Sequence, residues 1–358
     1  MKQMFTLTQL AARIEHDARN KADYVVGASD LRLGDDAQLI LPTLSAPLPV
    51  TDLGHRQLSE YVGIPAQYYD RVRASDPMLL AGNVNHWLGQ KGGERRMLRT
   101  LNGFARSLLS DSYKRIDNDA VANVVLEELS KIPGLRVVSC AVTESRLYIK
   151  AVSDALCRMV PGSKRGVGDM VEAGVIIRNS ETGQGSVSIE PFAHFLICTN
   201  GMVRSDGRLR AAHVGRKIDQ SIEGLLSDAT RRLEDEVVLR KVRDVIKHAF
   251  AEQPFEAFLA KLTDTTKQPI AGDVPAAVEA LGPTLGLAQG ERSLVLRHLI
   301  EGGDLSRYGL ANAVTRTAED LLSYDRATEL ETLGYKLIEL PARDWGAISN
   351  AKALPVAA

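Results

Sequence analysis

The sequence has little of what would single out a reaction. Cysteine is scarce: Cys140, Cys157 and Cys198 lie far apart and form neither a CxxC pair nor a Cys/His set at zinc spacing. That argues against a disulfide framework and a structural zinc site, and it fits a reducing compartment. No apolar run approaches the roughly 18 residues that a membrane span requires, and residues 1–7 have no apolar stretch of the signal-peptide kind. The expected location is the cytoplasm, with no membrane partner. Charge of one sign is missing too. At a net charge of -1 over 358 residues, the chain lacks the basic excess that non-specific nucleic-acid binders usually carry. Any surface for an anion must be local.

Catalytic motifs are also wanting. His55, His86, His194 and His213 have no second histidine or carboxylate at ligand spacing, and there is no nucleophile elbow, HExxH or Rossmann fingerprint. Residues 161–168 are glycine-rich, but they lack the Gly-Lys-Ser/Thr ending of a phosphate loop. No catalytic residue, cofactor or metal ligand is assigned, and an enzyme is the weaker class.

What is present is an ordinary globular composition, 44% hydrophobic and 25% charged, with a mean hydropathy of -0.11. The length exceeds what one core usually serves, so three regions are expected. Residues 1–90 read as an N-terminal α+β region with a small layered sheet, residues 91–250 as a central antiparallel sheet with a long helix, and residues 251–358 as a helical C-terminal region. The fold class is α+β, with hairpins backed by the long helix.

The centre of the pattern is residues 171–203. Val171, Ala173, Val175 and Ile177 alternate with Glu172, Gly174, Ile176 and Arg178, the two-residue period of a strand with one buried face. Residues 179–186, Asn-Ser-Glu-Thr-Gly-Gln-Gly-Ser, read as a hairpin loop. A long return strand from Val187 to Met202 follows, in which Pro191 marks a bulge or an edge. Strands are also expected at Leu135 to Val142 and Arg146 to Val152. A helix from about Arg216 to Phe250 carries an apolar stripe that includes Leu233, Val237, Val245 and Ile246, fit to back the sheet or to form a homo-oligomer. Leu333 to Leu340 reads as a strand or helix end, and the tail after Trp345 as loose.

Asp52 to Val72 reads as two helices about the turn Gly63-Ile64-Pro65. In a duplex-binding reading, Gln67 and Arg71 of the second helix would meet base edges in a major groove. A plain two-helix corner is preferred, because Tyr68-Tyr69 is bulky for a groove-facing surface.

Local cations supply the candidate nucleic-acid interface. Arg95, Arg96 and Arg99 flank a strand; Arg106, Tyr113, Lys114 and Arg115 follow; Lys164 and Arg165 sit in the glycine-rich loop; Arg204, Arg208, Arg210, Arg216 and Lys217 lead into the long helix. Cations interleaved with an aromatic can hold a nucleic-acid strand, the charges taking phosphates and the ring a base. Against this, Tyr113 can pack inward within a solvated loop, and Asp206, Asp219 and Glu223 can neutralise the last cluster.

Several motifs together resemble the phage/plasmid-like protein family of unknown function. They are His55-Arg56-Gln57 with Gly63-Ile64-Pro65, Leu108-Leu109-Ser110-Asp111 with Ile116-Asp117-Asn118, Asn179-Ser180 with Cys198-Thr199-Asn200-Gly201, and Asn312-Ala313-Val314-Thr315. The resemblance implies a setting of phages, plasmids and other mobile elements, and no established activity or site residue. Hairpins followed by a long helix also share their order of elements with single-strand annealing proteins. The expected function is therefore DNA binding, preferably of single strands held along the sheet, in recombination or replication. The alternatives are a duplex-binding regulator using the two-helix corner, and a protein-interaction factor without nucleic acid.

Overall fold

The structure is a computed structural model, and it describes residues 5–113, 115–164, 169–197, 200–211 and 228–352. The chain begins with α1 (Leu7–Arg19), whose first turn is closed by a reciprocal Thr6/Gln9 capping box. Then come β1 (Lys21–Gly27), the two-residue strands β2 (Arg32–Leu33) and β3 (Leu39–Ile40), and the helices α2 (Asp52–Val62), α3 (Ala66–Ser75) and α4 (Pro77–Gly89). The turn between α2 and α3 falls where the sequence places it, with Gly63 at φ 73 ending α2 in the left-handed conformation that favours glycine. β4 (Arg95–Leu101) and β5 (Phe104–Ser110) complete a three-stranded sheet in the order β1-β4-β5. Residues 95–110 therefore belong with the N-terminal unit, and the expected boundary at residue 90 falls inside it. One core, containing Leu58, Tyr69, Val84, Leu98 and Ala105, joins this sheet to α2, α3 and α4.

After α5 (Asn118–Leu129) comes the larger sheet: β6 (Leu135–Val142), β7 (Leu147–Met159), β8 (Met170–Asn179), β9 (Val187–Phe195), β10 (Gly201–Val203) and β11 (Leu209–Ala211). Its order is β10-β9-β8-β7-β6, with β11 also on β9, and every pairing is antiparallel. The alternation read at Val171 to Arg178 is present, yet both faces of β8 are covered. Val175 and Ile177 join Ile149, Val187 and Ile189 against side chains of α1, α5 and α6 (Asp228–Ala249). On the opposite face Ile176 joins Tyr148, Val152, Phe192 and Val203 against Tyr324. Gly174 lies on that second face, where a Cβ would come 2.4 Å from Ala151 O and 2.7 Å from Val152 Cγ1.

The return strand is shorter than its sequence suggests. β9 stops at Phe195 and the chain turns back into β10, so Val187 to Met202 is a hairpin and not one strand. Leu196 and Ile197 in the turn are apolar but 39% and 42% exposed, which is why composition alone reads through them. Pro191 sits inside β9 without a bulge. Its carbonyl accepts Arg204 N at 2.8 Å on the outer side of the strand, so its missing N–H falls in the gap between β10 and β11.

The described part of the long helix begins at Asp228; residues 216–227 lie outside the described residues. Val242, Ile246 and Ala249 back the sheet, while Leu233 and Val237 stay 62% and 49% exposed. The C-terminal region is α7 (Glu252–Thr266), α8 (Val274–Leu285), α9 (Gln289–Gly302), α10 (Arg307–Arg316), α11 (Tyr324–Ile338) and α12 (Ala342–Ser349). α11 covers residues 333–338 of the stretch expected as a strand or helix end, and α12 carries the chain in helix past a buried Trp345 to Ser349, so the first four residues of the expected loose tail are helical and residues 353–358 lie outside the described residues. Lys150 Nζ, at 2.7 and 2.6 Å from the Glu331 carboxylate, ties α11 to the second face of the sheet.

Because backbone and not a flexible tip would meet the new methyl group, Gly174→Ala is expected to destabilise the fold by about 1–3 kcal/mol. A urea melt followed by far-ultraviolet circular dichroism measures this, and an unchanged midpoint would contradict the close approach.

Candidate nucleic-acid interface

The 179–186 segment is the hairpin loop between β8 and β9 that the sequence reads, and its first half is internal while Gly183 is exposed and residues 184–186 are half-buried. Asn179, Ser180, Glu181 and Thr182 are buried, and Gly183 keeps φ 77 where a Cβ would stand 2.6 Å from Leu109 Cδ2. The N-terminal unit grips this segment at each step. Tyr113 OH donates to Ser180 O at 3.0 Å, Arg99 Nη1 to Glu181 O at 3.0 Å, Gln57 Nε2 to Thr182 O at 2.7 Å, and Arg106 Nη2 to Glu181 Oε2 at 2.7 Å. Glu181 Oε1 also accepts Asn118 N at 2.8 Å. A carboxylate from the far loop thus meets a free N–H at the start of α5, the charge a helix N-terminus favours. Asp117, the residue at the cap position, turns its own carboxylate to Lys21 and Arg99.

This arrangement decides where several candidate cations stand. Arg99 is fully buried between Asp23 at 2.8 Å and Asp117 at 2.7 Å, and Arg106 is buried on Glu181. Neither guanidinium faces outward to a phosphate, so both are corrected from candidate ligand contacts to internal ion pairs. Tyr113 packs inward as the plainer reading had it, and burial pushes its hydroxyl up to about 12. Burial would raise the Asp117 carboxyl, but Arg99 and Lys21 outweigh it and hold the group below its ordinary 3.8. Asp117, Asp119 and Glu181 bring carboxylate oxygens within 4.8 Å of one another. Lys21 Nζ already stands among them, at 2.7, 2.8 and 3.7 Å, in the place a metal ion would take.

Arg204 is likewise corrected. It is 1% exposed, donates through Nε to Asp206 at 3.0 Å, and lies 4.5 Å from the centre of the Phe258 ring. The other cations are dispersed. Arg95 is exposed at the start of β4; Arg96 stacks on Tyr61 at 3.9 Å; Arg115 is half-exposed and reaches Asp23 at 3.2 Å. Lys164 is exposed near the C-terminal helices and Arg208 beside β11, where Arg210 pairs through its backbone with Ser188. Lys114, Arg165, Arg216 and Lys217 lie outside the described residues. Both faces of the sheet's middle are covered, since every residue of β9 is buried, and a strand cannot lie along it there.

Open space gathers instead around the turn between β6 and β7. A recess of about 630 Å³ is bounded by Arg56 of α2, residues 141–146 and the start of α11. A second, of about 320 Å³, lies across the same turn and is lined by Asn102, Phe104, Arg106 and Glu181 among others. A third, of about 380 Å³, runs past Arg178, Glu190 and Arg326. Arg146 lines all three. Its Nη2 donates to Gln184 O, and neither it nor the exposed Arg56 forms an ion pair among the described residues. The neighbouring carboxylates are engaged: Asp325 accepts Ser145 Oγ at 2.9 Å, Glu144 accepts Leu53 N at 3.0 Å, Asp52 pairs with Arg73 at 3.1 Å and Glu329 with Arg326 at 2.8 Å. Phe104, at the second recess, is 48% exposed. Chemically, the first recess offers the Arg56 guanidinium and that of Arg146, whose Nη2 is spent on Gln184 O, with amide and hydroxyl hydrogen-bonding groups, and the second recess adds the open Phe104 ring beside the same Arg146. Arg56, Arg146 and Phe104 are far apart in sequence, and no local signal marks them as a set.

In the corner of α2 and α3, Gln67 and Arg71 are exposed as the duplex reading requires. The corner is held from inside by His55 Nδ1 and Tyr69 OH at 2.9 Å. Burial, with Arg73 nearby, lowers the His55 imidazole to about 4.

Removing one partner of the internal network leaves a buried charge unpaired. Arg99→Met is expected to cost about 3–5 kcal/mol in a denaturant melt. Because the Asp117 carboxyl is depressed when folded, its contribution is complete above pH 3.8 and is lost as the pH falls through the folded value. The stability gap between the native chain and Asp117→Asn should therefore narrow below pH 4, and a pH-independent gap would contradict the pairing.

Comparison of the chain with family models, with curated proteins and with solved structures finds no match.

Proposed function

We propose that the protein binds single-stranded DNA in the recess around Arg146, acting in the replication or recombination of a phage- or plasmid-like element. The observation that carries the reading is that Arg146 lines three adjoining hollows while neither it nor Arg56 is held in an ion pair among the described residues. Phosphates are natural partners of guanidinium groups that no carboxylate neutralises, since these present forked donors matched to phosphate oxygens. Phe104 offers a ring on which a base can stack, an interaction worth about 1–3 kcal/mol and indifferent to sequence. The mobile-element setting rests on the family resemblance of the quoted motifs. The near-zero net charge favours a short local contact over a long electrostatic track.

Gel-shift titration of single- and double-stranded oligonucleotides at two salt concentrations tests this. The native chain should prefer the single strand. Arg56→Glu and Arg146→Glu should each weaken binding, and Arg146→Ala should flatten the salt slope by about one unit per lost phosphate contact. Arg71→Glu should have little effect. Binding no tighter than that of an acidic control protein would overturn the reading. Loss of duplex binding in Arg71→Glu, with Arg146→Glu silent, would give the site to the α2–α3 corner.

A further inference from the structure

Away from the recess, the outer side of α4 has no cover among the described residues. Its inner side is fixed: Leu80, Ala81, Val84 and Leu88 enter the N-terminal core, Asp76 accepts Leu79 N at 3.0 Å, and Asn85 exchanges hydrogen bonds with the Leu33 backbone at 2.7 and 2.9 Å. The opposite side is therefore a preformed surface and not a frayed end. Met78 is 64% exposed, Leu79 50% and Trp87 48%, with Gly82 and His86 exposed between them. The His86 and Trp87 rings meet edge-on at 5.1 Å, and Tyr68 of α3 borders the same side, its hydroxyl accepting Asn83 Nδ2 at 3.2 Å. Apolar side chains scattered singly need no explanation, but three large ones on one fixed helix face do. Methionine and aromatic residues are also the types enriched where proteins meet.

The first guide to what covers this face is charge. None of the 13 residues of α4 is Asp, Glu, Lys or Arg, in a chain that is 25% charged. A nucleic-acid strand would find no cation there for its phosphates, and a partner selected by opposite charge would find nothing to read. A second copy of the same face meets no like charge. Such repulsion is what a two-fold contact otherwise brings on itself, because each residue near the axis faces its own counterpart.

The second guide is the order of residues along the face. Met78, Gly82 and His86 follow at four-residue spacing, as do Leu79, Asn83 and Trp87, so two adjoining rows run along one side of the helix. Large side chains stand at both ends, about 12 Å apart at a rise of about 1.5 Å per residue, and the glycine stands at the middle. A Cβ on Gly82 would meet nothing within 4 Å. The chain's own packing therefore does not demand glycine, although glycine weakens a helix interior relative to alanine. We infer that α4 is the contact of a two-fold dimer, in which α4 of one copy lies antiparallel across α4 of the other with the axis at Gly82. Met78 and Leu79 of each copy then rest on the His86–Trp87 end of the other, and the missing side chain lets the two helix backbones approach.

The full chain, followed by sedimentation velocity over a range of concentrations, should pass from monomer to dimer. Trp87 reports the contact without any substitution: its emission should shift to the blue as the dimer forms, because the other tryptophan, Trp345, is already buried. Gly82→Gln has room in the single chain, so its Tm should not fall when measured where the native chain is monomeric. Its side chain should hold the helices apart and raise the dimer dissociation constant at least ~10-fold. Leu79→Glu should do the same, whereas Leu233→Glu, on the exposed stretch of α6, should leave the dimer intact. A monomer at every concentration would overturn the inference, and so would a dimer indifferent to Gly82→Gln. A dimer lost only in Leu233→Glu would give the contact to the long helix, and a monomer that holds a different protein through α4 would give the face to another partner; either result rejects the α4 dimer.

Discussion

Glu181 is the residue on which the two sheets depend together. Its side chain meets Arg106 and the first turn of α5, and its carbonyl meets Arg99, which reaches back to Asp23 on β1 and to Asp117. One buried loop tip thus joins the three-stranded sheet, the large sheet and a helix start. Burying several charges in so small a volume costs desolvation, and the cost is met because Lys21, Arg99, Arg106 and Arg115 each face a carboxylate from Asp23, Asp117, Asp119 or Glu181. Balance of this kind stabilises little in net terms, but it fixes register, since any slip of β8 against β9 would withdraw Glu181 from its partners.

Much of the fold was legible because its signals are local. The alternation of Val171 to Ile177, the β6 span Leu135–Val142, the Gly63 turn and the apolar stripe at Val245 and Ile246 each act within a few residues. The destination of a charge is not local. Arg106 finds its carboxylate 75 residues away and Arg99 finds one 76 residues away, so a basic stretch that reads as a surface becomes an interior. The β9–β10 turn was hidden for a different reason: Leu196 and Ile197 are apolar, and their exposure is set by the tertiary fold.

The same contrast governs the site. Arg99, Arg106 and Arg204 are spent on holding the fold, whereas Arg56 of α2 and Phe104 of β5 border two different hollows that share Arg146 and the β6–β7 turn. Arg146 itself grips the end of that loop at Gln184. Structure and candidate function are therefore linked at one place, since whatever loosens the loop also moves the guanidinium that faces the three hollows.

The claim that residues 179–185 form an internal clamp is tested most directly by backbone hydrogen exchange, followed residue by residue in the native chain. Asn118 N bonds Glu181 and Gln184 N bonds Ser180 Oγ at 3.0 Å, so the amides of Asn118, Thr182 and Gln184 should open with a free energy close to that of the central strand β8. Exchange of these amides at the rate of an exposed turn, while β8 stays protected, would show the segment to be a surface hairpin and would contradict the account.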